Sequence, residues 1–181
     1  DIIGTFIWPS SARSREASFS KPVFYSVVYP YAKASDTRFD NNLSGLNSPN
    51  VTLATIDGEM TSFIAKADYP QAKTYSLPQL ASVSEALVGV TSGKADVTFV
   101  EPAIANDYLA NNPGSIRKVG NTPVRTFANV LAVSRGETDL LNMFNTALEE
   151  LQFDGSVKRA IAKYNATSSV LPPQYPVGSN W

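Results

Sequence analysis

The sequence predicts an α/β fold with a largely parallel sheet, and three observations carry that prediction. Strand-like and helix-like segments alternate from residue 51 to residue 164. Several helix ends are marked by their own capping residues, above all Ser82-Val83-Ser84-Glu85 and Gly93. The 181 residues are 43% hydrophobic and 17% charged, the balance of a globular chain able to bury a core.

In order, residues 2–8 are β-rich and stop at Pro9, which predicts a short strand. A polar, basic segment runs from Ser10 to Ser18, and residues 22–31 read as one long aromatic strand. Residues 34–50, rich in Asn, Ser, Asp and Gly, read as a connecting loop. Residues 51–56 look like a buried strand, and Met60, Phe63, Ile64 and Ala67 then recur at helical spacing. A short strand near Lys73–Tyr75 precedes the capping box, beyond which Val83, Leu87 and Val90 form an apolar stripe. Gly93 ends that helix, and residues 95–100 supply another strand. Pro102 suits the first turn of a helix running to about Asn111. Residues 124–134 read as a strand, and Leu141, Phe144, Leu148 and Leu151 mark an amphipathic helix. Asp154 is placed to cap a second helix with Val157, Ala160, Ile161 and Tyr164 on one face. The stretch 166–181 has three prolines and no periodicity, and is expected to lie extended over the surface.

Composition removes several function classes. The chain has no cysteine and no histidine, so disulfides, thiol catalysis, structural zinc and histidine-based proton transfer are excluded. No Gly-rich phosphate loop, nucleophile elbow or metal-ligand cluster is written in the sequence, and no cofactor is implied. Fifteen basic residues against sixteen acidic ones leave a net charge of −1, with no basic footprint for nucleic acid. No stretch approaches the roughly 20 apolar residues of a membrane span. The start, Asp1-Ile2-Ile3-Gly4, lacks the basic and apolar regions of a signal peptide.

Three places can carry binding chemistry. Arg13 and Arg15 follow a predicted strand, where a guanidinium can hold a carboxylate through two parallel hydrogen bonds; they can equally be solvated surface residues. Residues 56–61 form a strand–glycine–helix junction whose free N–H groups can receive an anion. There Gly58 permits a sharp turn, and Glu59 can serve simply to complement the helix dipole. Glu101 follows a strand and opens a helix, at the sheet edge where ligands collect in α/β folds, and can hold an ammonium group or stabilise its own helix. Trp8 and the tyrosines at 25, 29 and 31 can stack on a ligand or pack internally. Asp57 and Glu59, two apart at a turn, carry no further sign of glycosidase chemistry.

Five motifs in order resemble the amino-acid-binding family of periplasmic solute-binding proteins. They are Arg13 followed after five residues by Phe19-Ser20-Lys21-Pro22, the strand and turn Val51 to Gly58, and Gly93-Lys94-Ala95-Asp96 through Glu101. Leu131 to Gly136, and Asp154-Gly155 through Lys163-Tyr164, complete the set, which spans about residues 1–165.

The resemblance implies a type II periplasmic-binding-protein fold with one complete lobe and part of a second. Residues 1–32 would hold part of lobe one and a hinge strand, 33–123 lobe two, 124–165 the return strand and closing helices, and 166–181 a tail. It implies that Arg13 binds a ligand α-carboxylate and Glu101 an α-ammonium. The turn Gly58-Glu59-Met60, with Thr61 one place late, would supply further contacts, flanked by Trp8 and Ser10 where many members carry small hydroxyl residues. Exchange of hydroxyl donors for an acid and an indole suits a larger or more cationic ligand.

The implied role is capture of a small amino acid or related amine in the periplasm or outside the cell, for an ABC transporter permease. A cyclohexadienyl or arogenate dehydratase-like enzyme on the same fold, with Glu101 as general acid, is the alternative, and a sensor domain is another. The family's opening elements of lobe one are expected to precede Asp1. The 181-residue chain alone is then expected to have little or no ligand affinity, with its incomplete lobe irregular, strand-swapped or covered by another chain in a homo-oligomer.

Overall fold

The computed structural model describes residues 2–40, 42–164 and 169–173, and divides the chain into two units. One is assembled from residues 1–27 and 126–181; the other is the continuous stretch Val28–Arg125.

The continuous unit is an α/β sandwich. Strand β3 (Phe24–Lys33) enters it at Val28 and pairs antiparallel with β6 (Val97–Val100), with Tyr29 opposite Val100. Strand β4 (Thr52–Ile56) lies parallel to β6, Leu53 opposite Val97, and parallel to the edge strand β5 (Lys73–Leu77). Strand β7 (Ile116–Lys118) pairs with the far end of β3. The inner parallel strands β4 and β6 are buried almost throughout because helices cover both faces, whereas the edge strand β5 is polar and largely exposed. Val100 joins a cluster with Tyr31, Leu87, Ala105, Tyr108 and Ile116, which docks α2 (Val83–Thr91) and α3 (Pro102–Asn111). Its neighbour Phe99 points the other way and stacks on Tyr69, just beyond α1 (Met60–Asp68), with ring centroids 5.4 Å apart.

The helix signals act as read. Ser82 and Glu85 form both halves of the capping box, Pro102 occupies the first turn of α3, and Gly93 adopts φ +78° beyond the end of α2. Ser82→Ala is expected to cost about 1 kcal/mol, read by urea denaturation. Helix α1 departs from its expected face. Thr61, Ile64 and Ala65 are buried, whereas Phe63 is 63% exposed and Ala67 faces solvent. Thr61 turns inward because its hydroxyl accepts the Ile56 N–H at 2.8 Å, closing the strand–helix turn.

A charge network fastens the start of this unit. Arg38 bridges Asp36 and Asp96, and the second oxygen of Asp96 accepts the Thr52 N–H at 2.7 Å. Arg117 donates to the Asp36 carbonyl and pairs with Asp40. The hydrogen bonds from Arg38 hold the Asp36 carboxyl below the usual aspartate range, against a smaller opposing effect of burial.

In the discontinuous unit, β8 (Arg125–Ser134) is flanked by antiparallel partners. On one side is β1 (Ile2–Ile7), with Ile2 opposite Val133; on the other is β2 (Ala17–Phe19), with Phe19 opposite Ala132. Between Ile3 and Ile7 the register of β1 breaks, and Phe6 sits at φ +56°. The Phe-Ser-x-Pro motif acquires a physical role here. The Ser20 hydroxyl accepts the Leu131 N–H at 2.9 Å and donates to the Lys21 carbonyl at 2.8 Å.

Helix α4 (Thr138–Phe153) buries Leu148, leaves Leu141 and Phe144 half-buried and Leu151 exposed, and is also held by polar contacts. Asn145 accepts the Lys21 N–H at 2.7 Å, Gln152 donates to the Pro22 carbonyl at 2.8 Å, and Lys21 pairs with Glu149. Helix α5 (Ser156–Lys163) has Gly155 rather than Asp154 as its N-cap; the Asp154 carboxylate instead accepts the Ser156 N–H at 2.7 Å. Of the expected surface tail, 166–168 and 174–181 lie outside the described residues. Val170–Leu171 form a short strand, β9, against Tyr25 and Ser26.

Candidate ligand-binding site

The candidate residues fall into two groups, one in each unit. In the continuous unit, β4 and β6 run side by side in parallel with Leu53 opposite Val97. Four residues on from that pair, Asp57 and Glu101 therefore leave the sheet at the same edge, formed by the carboxyl ends of the strands.

At the β4–α1 turn, Gly58 adopts φ +73°, a left-handed conformation that a side-chain-bearing residue would hold only under strain. Glu59 is the N-cap of α1 and its side chain makes no cap hydrogen bond; its carbonyl accepts the Ser62 hydroxyl at 2.8 Å. Met60 opens the helix and is half-buried. Thr61 is 2% exposed and engaged with the Ile56 N–H, so its hydroxyl serves the turn and is not offered to a ligand. Asp57 is held by the Ser76 hydroxyl.

Glu101 is the N-cap of α3, with extended backbone and no cap hydrogen bond from its side chain. Among the described residues its carboxylate has no ion-pair or hydrogen-bond partner, and it stands half-buried at the strand end. A carboxylate that serves its helix would accept an N–H of the first turn; this one leaves its oxygens free for an external donor.

In the discontinuous unit, Trp8, Ser10 and Arg13 form one small assembly. Ahead of the 3₁₀ turn Arg13–Arg15, the Ser10 hydroxyl accepts the Arg13 N–H at 3.2 Å. The Arg13 guanidinium donates from Nη1 to the Trp8 carbonyl at 2.8 Å. That single bond leaves the remaining N–H donors of the fork exposed. The Trp8 indole lies on the Phe127 ring, with centroids 4.3 Å apart and planes 15° from parallel. Phe127 escaped the sequence reading, since no local spacing links residues 119 apart in the chain. Arg15 differs from Arg13 in that its carbonyl accepts Arg135 at 2.9 Å.

Among the described residues no cluster of three acidic side chains could hold a metal, and no helix is long and apolar enough to cross a membrane.

No family model matches the chain. It is 26% identical over 161 residues to a probable amino-acid ABC transporter-binding protein of Haemophilus influenzae, covering 88% of the chain and 59% of that relative. It is 28% identical over 158 residues to the virulence sensor protein BvgS of Bordetella pertussis, covering 85% of the chain and 12% of that protein. A binding component of an ABC transporter from Wolinella succinogenes, solved with lysine, superposes with a TM-score of 0.75 at 23% identity. That match covers 90% of the chain and 69% of the solved protein. The chain shares the type II periplasmic-binding-protein fold. It spans less than two thirds of the curated relatives it matches. In this periplasmic-binding-protein framework, Arg13 and Glu101 stand on separate units of the chain, each fixed by its local backbone.

Proposed function

We propose that this protein captures a small amino acid or related amine in the periplasm or outside the cell and delivers it to an ABC transporter. The observation that carries the reading is Glu101. It is a carboxylate at the carboxyl end of a parallel strand, with no partner of its own among the described residues, beside the Gly58 turn. An α-ammonium group is the matching donor, and the exposed fork of Arg13 is the matching acceptor-binding group for an α-carboxylate. The kinship with an amino-acid transporter-binding protein supports the same reading. Trp8, Ser10, Gly58, Glu59 and Met60 are assigned to the surroundings of the ligand.

Calorimetry of the protein as its gene encodes it, against a panel of amino acids led by L-lysine and L-arginine, tests this. Arg13→Ala and Glu101→Ala are each expected to weaken binding by about a hundredfold or more, the cost of stranding one ligand charge. Unchanged affinity in both variants would sink the assignment.

The kinship with a virulence sensor favours a second reading, in which the same capture feeds a signalling partner instead of a permease. Turnover of arogenate or prephenate by the same preparation would replace both with an enzymatic role. The exposure of Ile2 and Ile3 on β1 also supports pairing with a second copy of the chain. Light scattering at the monomer mass across a dilution series would exclude it.

A further inference from the structure

We propose that Phe127 is a positioning residue for Arg13, acting through Trp8; this rests on the reading of Arg13 as the carboxylate anchor. The guanidinium is aimed by its hydrogen bond to the Trp8 carbonyl, 2.8 Å from Nη1. Whatever fixes the Trp8 peptide therefore fixes the direction in which the other N–H groups of Arg13 point.

The sheet does little of that work. β1 ends at Ile7, its register has already broken between Ile3 and Ile7, and Phe6 occupies a left-handed conformation at φ +56°. Trp8 thus stands one residue past the last sheet pairing, Ile7 opposite Val130. Pro9 biases the backbone of Trp8 toward extended conformations, but this leaves the residue free to swing about its remaining torsions.

The contact that pins it is the near-parallel stack on Phe127, at 4.3 Å and 15°. Phe127 belongs to β8, the central strand of this unit, where the neighbouring Asn129 is buried and bonded to Ser26 at 2.8 Å. The ring is therefore carried by the rigid part of the unit, and Trp8 is clamped to it. The other end of the anchor loop is held separately, by Arg135 on the Arg15 carbonyl at 2.9 Å. The bonds from the Arg13 N–H to the Ser10 hydroxyl and from the Ser14 N–H to the Ser10 carbonyl order the turn but do not touch the guanidinium.

The chain has two tryptophans, Trp8 and Trp181, so Trp181→Phe makes Trp8 the sole indole reporter. In that background Phe127→Leu keeps an apolar side chain but removes the flat ring, and Phe127→Tyr keeps the ring. Calorimetry with L-lysine and L-arginine is expected to show Phe127→Leu binding about tenfold more weakly, roughly the worth of an aromatic pair. Phe127→Tyr is expected to bind as the parent does. The near-ultraviolet circular dichroism of Trp8 should collapse in Phe127→Leu and persist in Phe127→Tyr, with the melting midpoint preserved in both. In an Arg13→Lys background, where the fork is already gone, Phe127→Leu should add little further loss.

Parent-like affinity in Phe127→Leu while Arg13→Ala abolishes binding would overturn this proposal alone. Intact binding in Arg13→Ala would overturn the carboxylate assignment and the proposal with it. A loss in Phe127→Leu that Phe127→Tyr shares, accompanied by a lowered melting midpoint, would make Phe127 structural and also overturn it.

Discussion

Phe99→Ala is expected to destabilise the continuous unit by about 3–5 kcal/mol, the range for truncating a fully buried aromatic side chain. Phe99 is 0% exposed, sits on the central strand β6 and carries the Tyr69 ring stacked at 5.4 Å. Its removal opens a cavity on the face covered by α1 and deprives Tyr69 of its partner. Burial holds the Tyr69 hydroxyl above the ordinary tyrosine range, with a smaller contribution from Asp68. The cost should appear in native-state hydrogen exchange as faster opening of β4 and β6 amides, while β8 amides past Asn129 respond less. Leucine at this position should recover part of the loss. A cost below about 1 kcal/mol would mean that the site collapses around the smaller side chain.

Asp96→Ala is expected to cost about 2–3 kcal/mol, because two dependents lose their acceptor together. The Thr52 N–H at the start of β4 is stranded, and Arg38 keeps only Asp36. The same network sets an acid limit. Hydrogen bonding by Arg38 depresses the folded-state pKa of Asp36 below its ordinary value of 3.8. A depressed carboxyl contributes stability that is present above the unfolded pKa and is lost as pH falls through the folded one. Denaturant midpoints should therefore hold above about pH 5 and decline progressively below pH 4. In Arg38→Met that acid decline should be shallower, since Asp36 loses the partner that makes its ionisation favourable in the folded state. Equal slopes in parent and variant would remove Arg38 from the account.

The parts of this molecule that could be read from sequence are those whose causes are local. Ser82 with Glu85, Pro102 and Gly93 act through neighbours three or fewer residues away, and each marks a helix end where it was expected. Glu101 was legible for the same reason, since the strand before it and the helix after it fix its position at the sheet edge. The face of α1 was not. An apolar count places Phe63 inside, but the hydrogen bond from the Ile56 N–H holds the Thr61 hydroxyl inward, and Phe63 faces out. The polar seating of α4 was equally hidden, because Lys21 and Pro22 supply the groups that Asn145, Glu149 and Gln152 meet from more than 120 residues away. The Trp8–Phe127 stack belongs with these long-range facts: the sequence names both rings and gives no reason to join them.

The continuous unit begins at Val28 and ends at Arg125, and the Val124 N–H bonds to the Val28 carbonyl at 2.9 Å. Its entrance and exit are thus next-door neighbours. A stretch of polypeptide whose ends meet can be lifted out of its host as a cassette, or closed head to tail through a short peptide, with little strain at the splice. Seen so, the protein is a host sequence interrupted by a self-contained guest. The guest carries Glu101 and the Gly58 turn with it wherever it is grafted.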